Sequence, residues 1–236
     1  MEQVLESFEE RVKEIDLFFD HVKRLYQPDV TLCSVGETGA SPLRLDPGFL
    51  KILKASAFLI LYNMVESAVR EGILHIYSEM EADGLHYQNV SDKIREIWID
   101  YHYRNVFDLN SNWSSYRKAA ARLIDDIINH TVLKLDRRAI DVSGNLDADQ
   151  VRRICEKHGI RVRAHPGAKG GVSLETVKKQ RNLLAHGTLS FTECGRQFSI
   201  EDLEEIKNQT MIFIRSILNG IDNYVQGKHF AMSPPA

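Results

Sequence analysis

The stretch "DPGFLKILKASAFLILYNMVESAVREGILHIYSEM", Asp46 to Met80, decides the fold class. Asp46 followed by Pro47 marks a helix start: a capping carboxylate, then a proline at the first helical position, where its missing N–H is not needed. The helix this opens runs to about Met80 and is apolar nearly all round in "FLILYNMV", residues 58–65. A helix without a polar face has to be covered on every side, which makes it the central helix of a bundle. Its most apolar run, "AFLILYNMV", falls well short of the roughly 20 residues needed to cross a bilayer.

The flanking segments are helical too. Residues 2–26 place Val4, Leu5, Phe8, Val12, Ile15, Phe18, Phe19, Val22 and Leu25 at three- and four-residue spacing, one apolar stripe. "QPDVTLCSVGETGASPLRLDPG" (27–48) breaks that pattern with Pro, Gly and Ser and reads as a loop. Ser91 caps a helix to about Arg104, and another runs from Trp113 to His130. A short one follows "VSGN", from Asp147 to His158, and is stopped by Gly159. Ser173 opens a helix ending at Gly187, and Ser199 caps the last, to about Gln226. Between them "LSFTECGRQFSI" (189–200) reads as a small hairpin or tight loop, and "AHPGAKGG" (164–171) as a flexible connector. "AIDV" (139–142) and "GIRV" (159–162) are candidates for a minor β pairing. The expected architecture is mostly α: one helical domain over residues 1–227, with a small irregular basic insertion at 134–170. The motif helix, loop and final helix occupy 173–226, and a frayed tail 228–236.

Charge is nearly balanced at −3 overall, which excludes a general polycation. Between Lys134 and Arg181, however, twelve Lys/Arg face six Asp/Glu, so this segment carries +6 and the remainder −9. A basic segment on an acidic body suits a phosphate-bearing partner, although a solvated charged surface gives the same count. Cys33, Cys155 and Cys194 form no CxxC pair, so neither a disulfide framework nor a zinc site is indicated. The histidines lack metal-ligand spacing, and no cofactor is implied. The acidic, amphipathic N-terminus is unlike a signal peptide, so a cytoplasmic protein with no membrane partner is expected.

Chemistry concentrates in "VKKQRNLLAHGTLSF" (177–191). Asn182 and His186 share a helix face, while Arg181 lies about 140° round from His186 at 100° per residue. A histidine before a C-terminal glycine suits the negative end of the helix dipole, so this pattern is also that of an ordinary capped helix. As a site, the histidine would move a proton on a ribose hydroxyl or leaving oxygen, and the arginine would grip a phosphate. One helix does not converge the two groups. A symmetric pair of such helices does.

"RNLLAHG" resembles the R-x4-6-H motif of the HEPN superfamily. Together with "FLILYNMVESAVREGI", "SGNLDADQVRRICEKHGI" and the continuation "TLSFTECGRQFSIEDLEEI", it resembles the bacterial MAE-like branch, associated with toxin and phage-defence systems. The resemblance spans about residues 50–225. It implies a metal-independent endoribonuclease, a homodimer through the motif helices acting on RNA, with an antitoxin or defence partner protein as a further expected contact. Arg181 and His186 would be the catalytic pair and Asn182 the polar neighbour that orients them. A non-catalytic RNA- or nucleotide-binding HEPN module is the alternative. Glu175 and Lys179 have the spacing of an extended form of the motif, but Gln180 intervenes before Arg181. Thr188 stands where paired toxins carry a tyrosine, so silencing by adenylylation there does not apply.

Asn63, Glu66 and Arg70 make a polar stripe on the central helix. Glu66 either pairs with Arg70 one turn on, or braces Arg181 or His186. Lys178, Lys179, Arg152, Arg153, Arg161 and Arg163, with Lys157 and Lys169 nearby, are candidate RNA-backbone contacts or a solvated face. "GAKGG" lacks the Walker pattern and reads as a linker.

Overall fold

A computed structural model describes residues 1–27, 30–36, 39–43, 45–104, 113–140 and 144–232. Eight α-helices are defined: α1 Glu2–Leu25, α2 Pro47–Ala82, α3 Asp92–Arg104, α4 Trp113–Ile128, α5 Ala148–His158, α6 Val172–Ala185, α7 Phe191–Arg196 and α8 Ile200–Gln226. The Asp46 carboxylate accepts the Gly48 N–H at 2.6 Å and starts α2. Fifteen residues of α2 are buried, among them Phe58, Leu61 and Val65 at 0% exposure. By length and composition alone α2 could cross a membrane, with mean hydropathy 1.4 over its most apolar window. In the fold it packs against α1, α6, α7 and α8, and this burial is the main driving force of the bundle. α1 lays Val4, Phe8, Val12, Ile15, Phe19 and Val22 onto it, one residue per turn.

Several connections differ from expectation. The segment 27–48 contains a two-stranded antiparallel sheet, β1 Leu32–Gly36 and β2 Gly39–Leu43, pairing Leu32 with Leu43 and Gly36 with Gly39. Pairing of backbone groups formed strands where the side chains carry no period-2 signal. Among the described residues the insertion has no strand. Arg137–Ala139 is a 3-10 turn, and "AIDV" runs into residues 141–143, outside the described ones. "AHPGAKGG" is an ordered turn, not a flexible connector. Ala168 is fully buried, the His165 N–H donates to Ser216 Oγ, and Lys169 pairs with Glu205 at 2.6 Å. Of the tail, Phe230 is 1% exposed and the Met232 N–H donates to the Asn89 carbonyl, so residues 227–232 are docked; 233–236 lie outside the described residues.

The buried His158 ring joins α5 to α2. Its Nδ1 donates to the Ile154 carbonyl at 2.7 Å, and its Nε2 accepts the Tyr77 hydroxyl at 2.7 Å. Burial pushes its pKa down to about 4, the Ile154 contact opposing that shift only in part. The unfolded histidine titrates near 6.5, so between these values only the unfolded chain binds the proton. Stability is therefore complete above about pH 6.5 and falls as pH drops towards 4, by on the order of 3 kcal/mol. Urea midpoints measured from pH 7 to 4.5 should show this loss in the wild type and a smaller one in His158→Gln.

Candidate active site

α6 begins at Val172, with Gly171 in the N-cap position, rather than at Ser173. Ser173 lies inside the first turn, buried, its hydroxyl donating to Gln209 Oε1 at 2.6 Å. The helix buries Ser173, Leu174, Val177, Gln180 and Leu184, and exposes Val172, Glu175, Lys179 and Ala185. Its C-terminus is the expected one. Gly187 adopts φ +67°, its N–H donates to the Leu184 carbonyl at 3.1 Å, and the Thr188 N–H donates to the Leu183 carbonyl at 2.9 Å. This is a Schellman cap, in which a left-handed residue returns the chain and satisfies the last carbonyls.

The two faces of α6 separate the motif residues. His186 is exposed, in line with Glu175 and Lys179 on the open face, and makes no side-chain hydrogen bond or ion pair among the described residues. Arg181 points towards the protein body. Its guanidinium lies over the Tyr62 ring of α2, 4.4 Å from the centroid, and Nη1 donates to the Gly144 carbonyl at 3.2 Å and to Asn182 Oδ1 at 2.8 Å. Asn182 Nδ2 in turn donates to Asn145 Oδ1 at 2.7 Å. No carboxylate pairs with Arg181 among the described residues, so its charge is held by neutral acceptors and an aromatic face. Arg181 and Asn182 are thus brought together, and His186 is not joined to either by a side-chain contact.

The segment 144–147 forms the wall beside Arg181. After Gly144 and Asn145, the Leu146 N–H donates to the Tyr62 hydroxyl at 3.0 Å, and Asp147 pairs with Lys178 at 2.5 Å. Burial opposes ionisation of Asp147, but the Lys178 ammonium and the Gln150 N–H outweigh it and hold its carboxyl below the usual range. Burial is likewise the main reason the Tyr62 phenol sits above its ordinary value. From the sequence, none of Tyr62, Gly144, Asn145 and Asp147 is placed at the site, although Asp147 is marked as a helix start. The contacts that reveal them join residues between 31 and 84 positions apart.

The other candidates divide by partner. Glu66 pairs with Arg70 at i+4 and makes no hydrogen bond to Arg181 or His186; Asn63 receives Arg11 Nη1 at 3.1 Å. Lys178 is neutralised by Asp147, and Arg152 by Asp149 at 2.7 Å. Lys157 pairs with Asp100 at 2.9 Å. Lys179, Arg153, Arg161 and Arg163 are exposed with no ion pair among the described residues. Of the candidates, these four carry no ion pair among the described residues and are available to an anion. Among the described residues no three His, Cys, Asp or Glu side chains come together as a metal site.

A family model described as MAE_28990-like HEPN matches residues 1–230. No curated protein and no solved structure matches the chain.

Proposed function

The chain belongs to the MAE_28990-like HEPN family, and on that premise we propose that it is a metal-independent endoribonuclease, a cytoplasmic toxin or defence effector working as a homodimer. The observation that carries this reading is the Arg181 guanidinium. It is fixed by Tyr62, Gly144 and Asn182, and no carboxylate neutralises it among the described residues. A cation positioned without an acid partner is suited to a phosphodiester and to the charge that builds on its non-bridging oxygens during cleavage. In that reaction the adjacent 2′-oxygen attacks phosphorus, the P–O5′ bond breaks, and a proton passes from the 2′-hydroxyl to the departing 5′-oxygen. His186 is the group suited to move that proton.

The reading requires a second chain. Arg181 faces the body of its own subunit and His186 faces out, in keeping with the about 140° between them. A two-fold pairing of α6 helices would bring His186 of one copy towards Arg181 of the other. Lys179, Arg153, Arg161 and Arg163, without an ion pair among the described residues, would add salt-dependent contacts to the RNA backbone. One observation favours the alternative of a binding module without turnover: among the described residues no side chain of the same subunit hydrogen-bonds the His186 ring.

Purified protein incubated with total RNA in excess EDTA should produce fragments ending in 2′,3′-cyclic phosphate and beginning with 5′-hydroxyl. Cleavage abolished by EDTA, or fragments with 3′-hydroxyl ends, would remove the proposed mechanism. Binding of RNA with no fragments would leave the module reading.

A further inference from the structure

We propose that Tyr62 is the positioning residue of the Arg181 site, acting through its ring and its hydroxyl at once; this rests on the reading of Arg181 as the phosphate-gripping group. Tyr62 belongs to α2, which contributes fifteen buried residues to the core, and is itself 2% exposed. It therefore offers a fixed reference, whereas Arg181 has a long side chain with many rotamers. The ring supplies a floor 4.4 Å below the guanidinium carbon, which restricts the plane of the fork. The hydroxyl accepts the Leu146 N–H at 3.0 Å. That bond anchors the chain two residues from Gly144, whose carbonyl takes Arg181 Nη1 at 3.2 Å. One side chain thus sets the face of the guanidinium and the acceptor at its edge.

The wall is closed by two further bonds to α6. Asn145 Oδ1 accepts from Asn182 Nδ2 at 2.7 Å, and Lys178 pairs with Asp147 at 2.5 Å. Four consecutive residues, 144–147, are therefore tied either to the motif helix or to Tyr62. Leu146 is fully buried, so its N–H has no water to turn to when the phenol is removed. The two parts of Tyr62 can be separated by substitution. Tyr62→Phe keeps the floor and frees Leu146, while Tyr62→Leu removes both.

The test pairs catalysis with a direct view of Arg181. In the wild type the Arg181 Nε–Hε signal, assigned by its loss in Arg181→Ala, should be shifted upfield by the Tyr62 ring current. Tyr62→Leu should abolish that shift and Tyr62→Phe should retain it. Misplacing a positioned group costs up to about a hundredfold. Tyr62→Leu should accordingly lower kcat by about tenfold to a hundredfold, with KM changed by less than about threefold, and Tyr62→Phe should lie between. An unshifted Arg181 signal in the wild type, or one unchanged in folded Tyr62→Leu, overturns the proposal. Equal kcat in wild type and either variant does so as well. If Tyr62→Leu does not fold, Tyr62→Phe decides by its kcat and by the position of the 144–147 amide signals. If the wild type cleaves no RNA, the catalytic reading falls, and the Arg181 signal still judges the role of Tyr62.

Discussion

Gly195→Ala will destabilise the protein by at least about 3 kcal/mol, the upper range of overpacking costs, although glycine-to-alanine in a helix ordinarily stabilises by up to about 1 kcal/mol. Gly195 lies in α7 where that helix crosses the start of α2. A Cβ there would stand 1.9 Å from the Lys51 carbonyl oxygen and 2.7 Å from its carbon. Both are backbone atoms of a helix packed against α1, α6, α7 and α8, so neither can turn away as a side-chain end would. Relief requires lifting α7 off α2, which loosens the chain just after the motif helix. For a domain of this size 1 kcal/mol corresponds to about 2–4 °C, so Tm should fall by roughly 6 °C or more. Arg196→Ala, one residue on and exposed, is the control and should leave Tm unchanged. An equal or higher Tm for Gly195→Ala would mean that the close crossing is not present in solution.

This position also marks where the sequence was and was not legible. The boundaries of α2, α5, α8 and the end of α6 are written in single residues: Asp46 before Pro47, Asp147, Ser199 and Gly187 each satisfy backbone groups next to them. Such chemistry is local and can be read without the fold. α7 is only six residues long, too short for a helical period to repeat, so its stretch reads as a hairpin or loop from the sequence. The signal that could have found it is the capping box, in which Ser190 Oγ accepts the Glu193 N–H and the Glu193 carboxylate accepts from Ser190. Gly195 lies inside that stretch, and nothing nearby in sequence tells that another backbone passes within contact.

The same distinction applies to the site. Arg181, Asn182 and His186 lie within two turns of one chain segment, and their spacing alone gives the angle between Arg181 and His186, but it puts Asn182 on the His186 face, whereas the Asn182 side chain bonds to Arg181 and Asn145. The burial pattern of α6 has the same two faces. Tyr62 carried no such signal. In "FLILYNMV" a tyrosine is one more large side chain on an apolar rod, and only folding brings residues 144–147 to its hydroxyl. The basic candidates were indistinguishable as a count of charges. The fold divides them, because Asp147, Asp149 and Asp100 neutralise Lys178, Arg152 and Lys157 and leave Lys179, Arg153, Arg161 and Arg163 free among the described residues.

Arg181→Ala and His186→Ala should each lower RNA cleavage by two orders of magnitude or more, the usual cost of removing a transition-state cation or a proton-transfer group. Stability should separate from activity in the second variant: an exposed, unpaired side chain contributes within about 0.5 kcal/mol. The decisive measurement mixes the two dead proteins. In a two-fold dimer whose sites each take Arg181 from one chain and His186 from the other, a mixed dimer holds one site with both groups intact and one with neither. Random exchange makes half the dimers mixed, so co-refolded protein should recover about one quarter of wild-type activity. If Arg181 and His186 of the same chain worked together, each mixed site would lack one group and nothing would return. Recovery near one quarter therefore supports the shared groove. An absence of recovery, with mixed dimers demonstrated by mass spectrometry, would place the chemistry within one chain and require Arg181 to leave the Tyr62 face to reach His186.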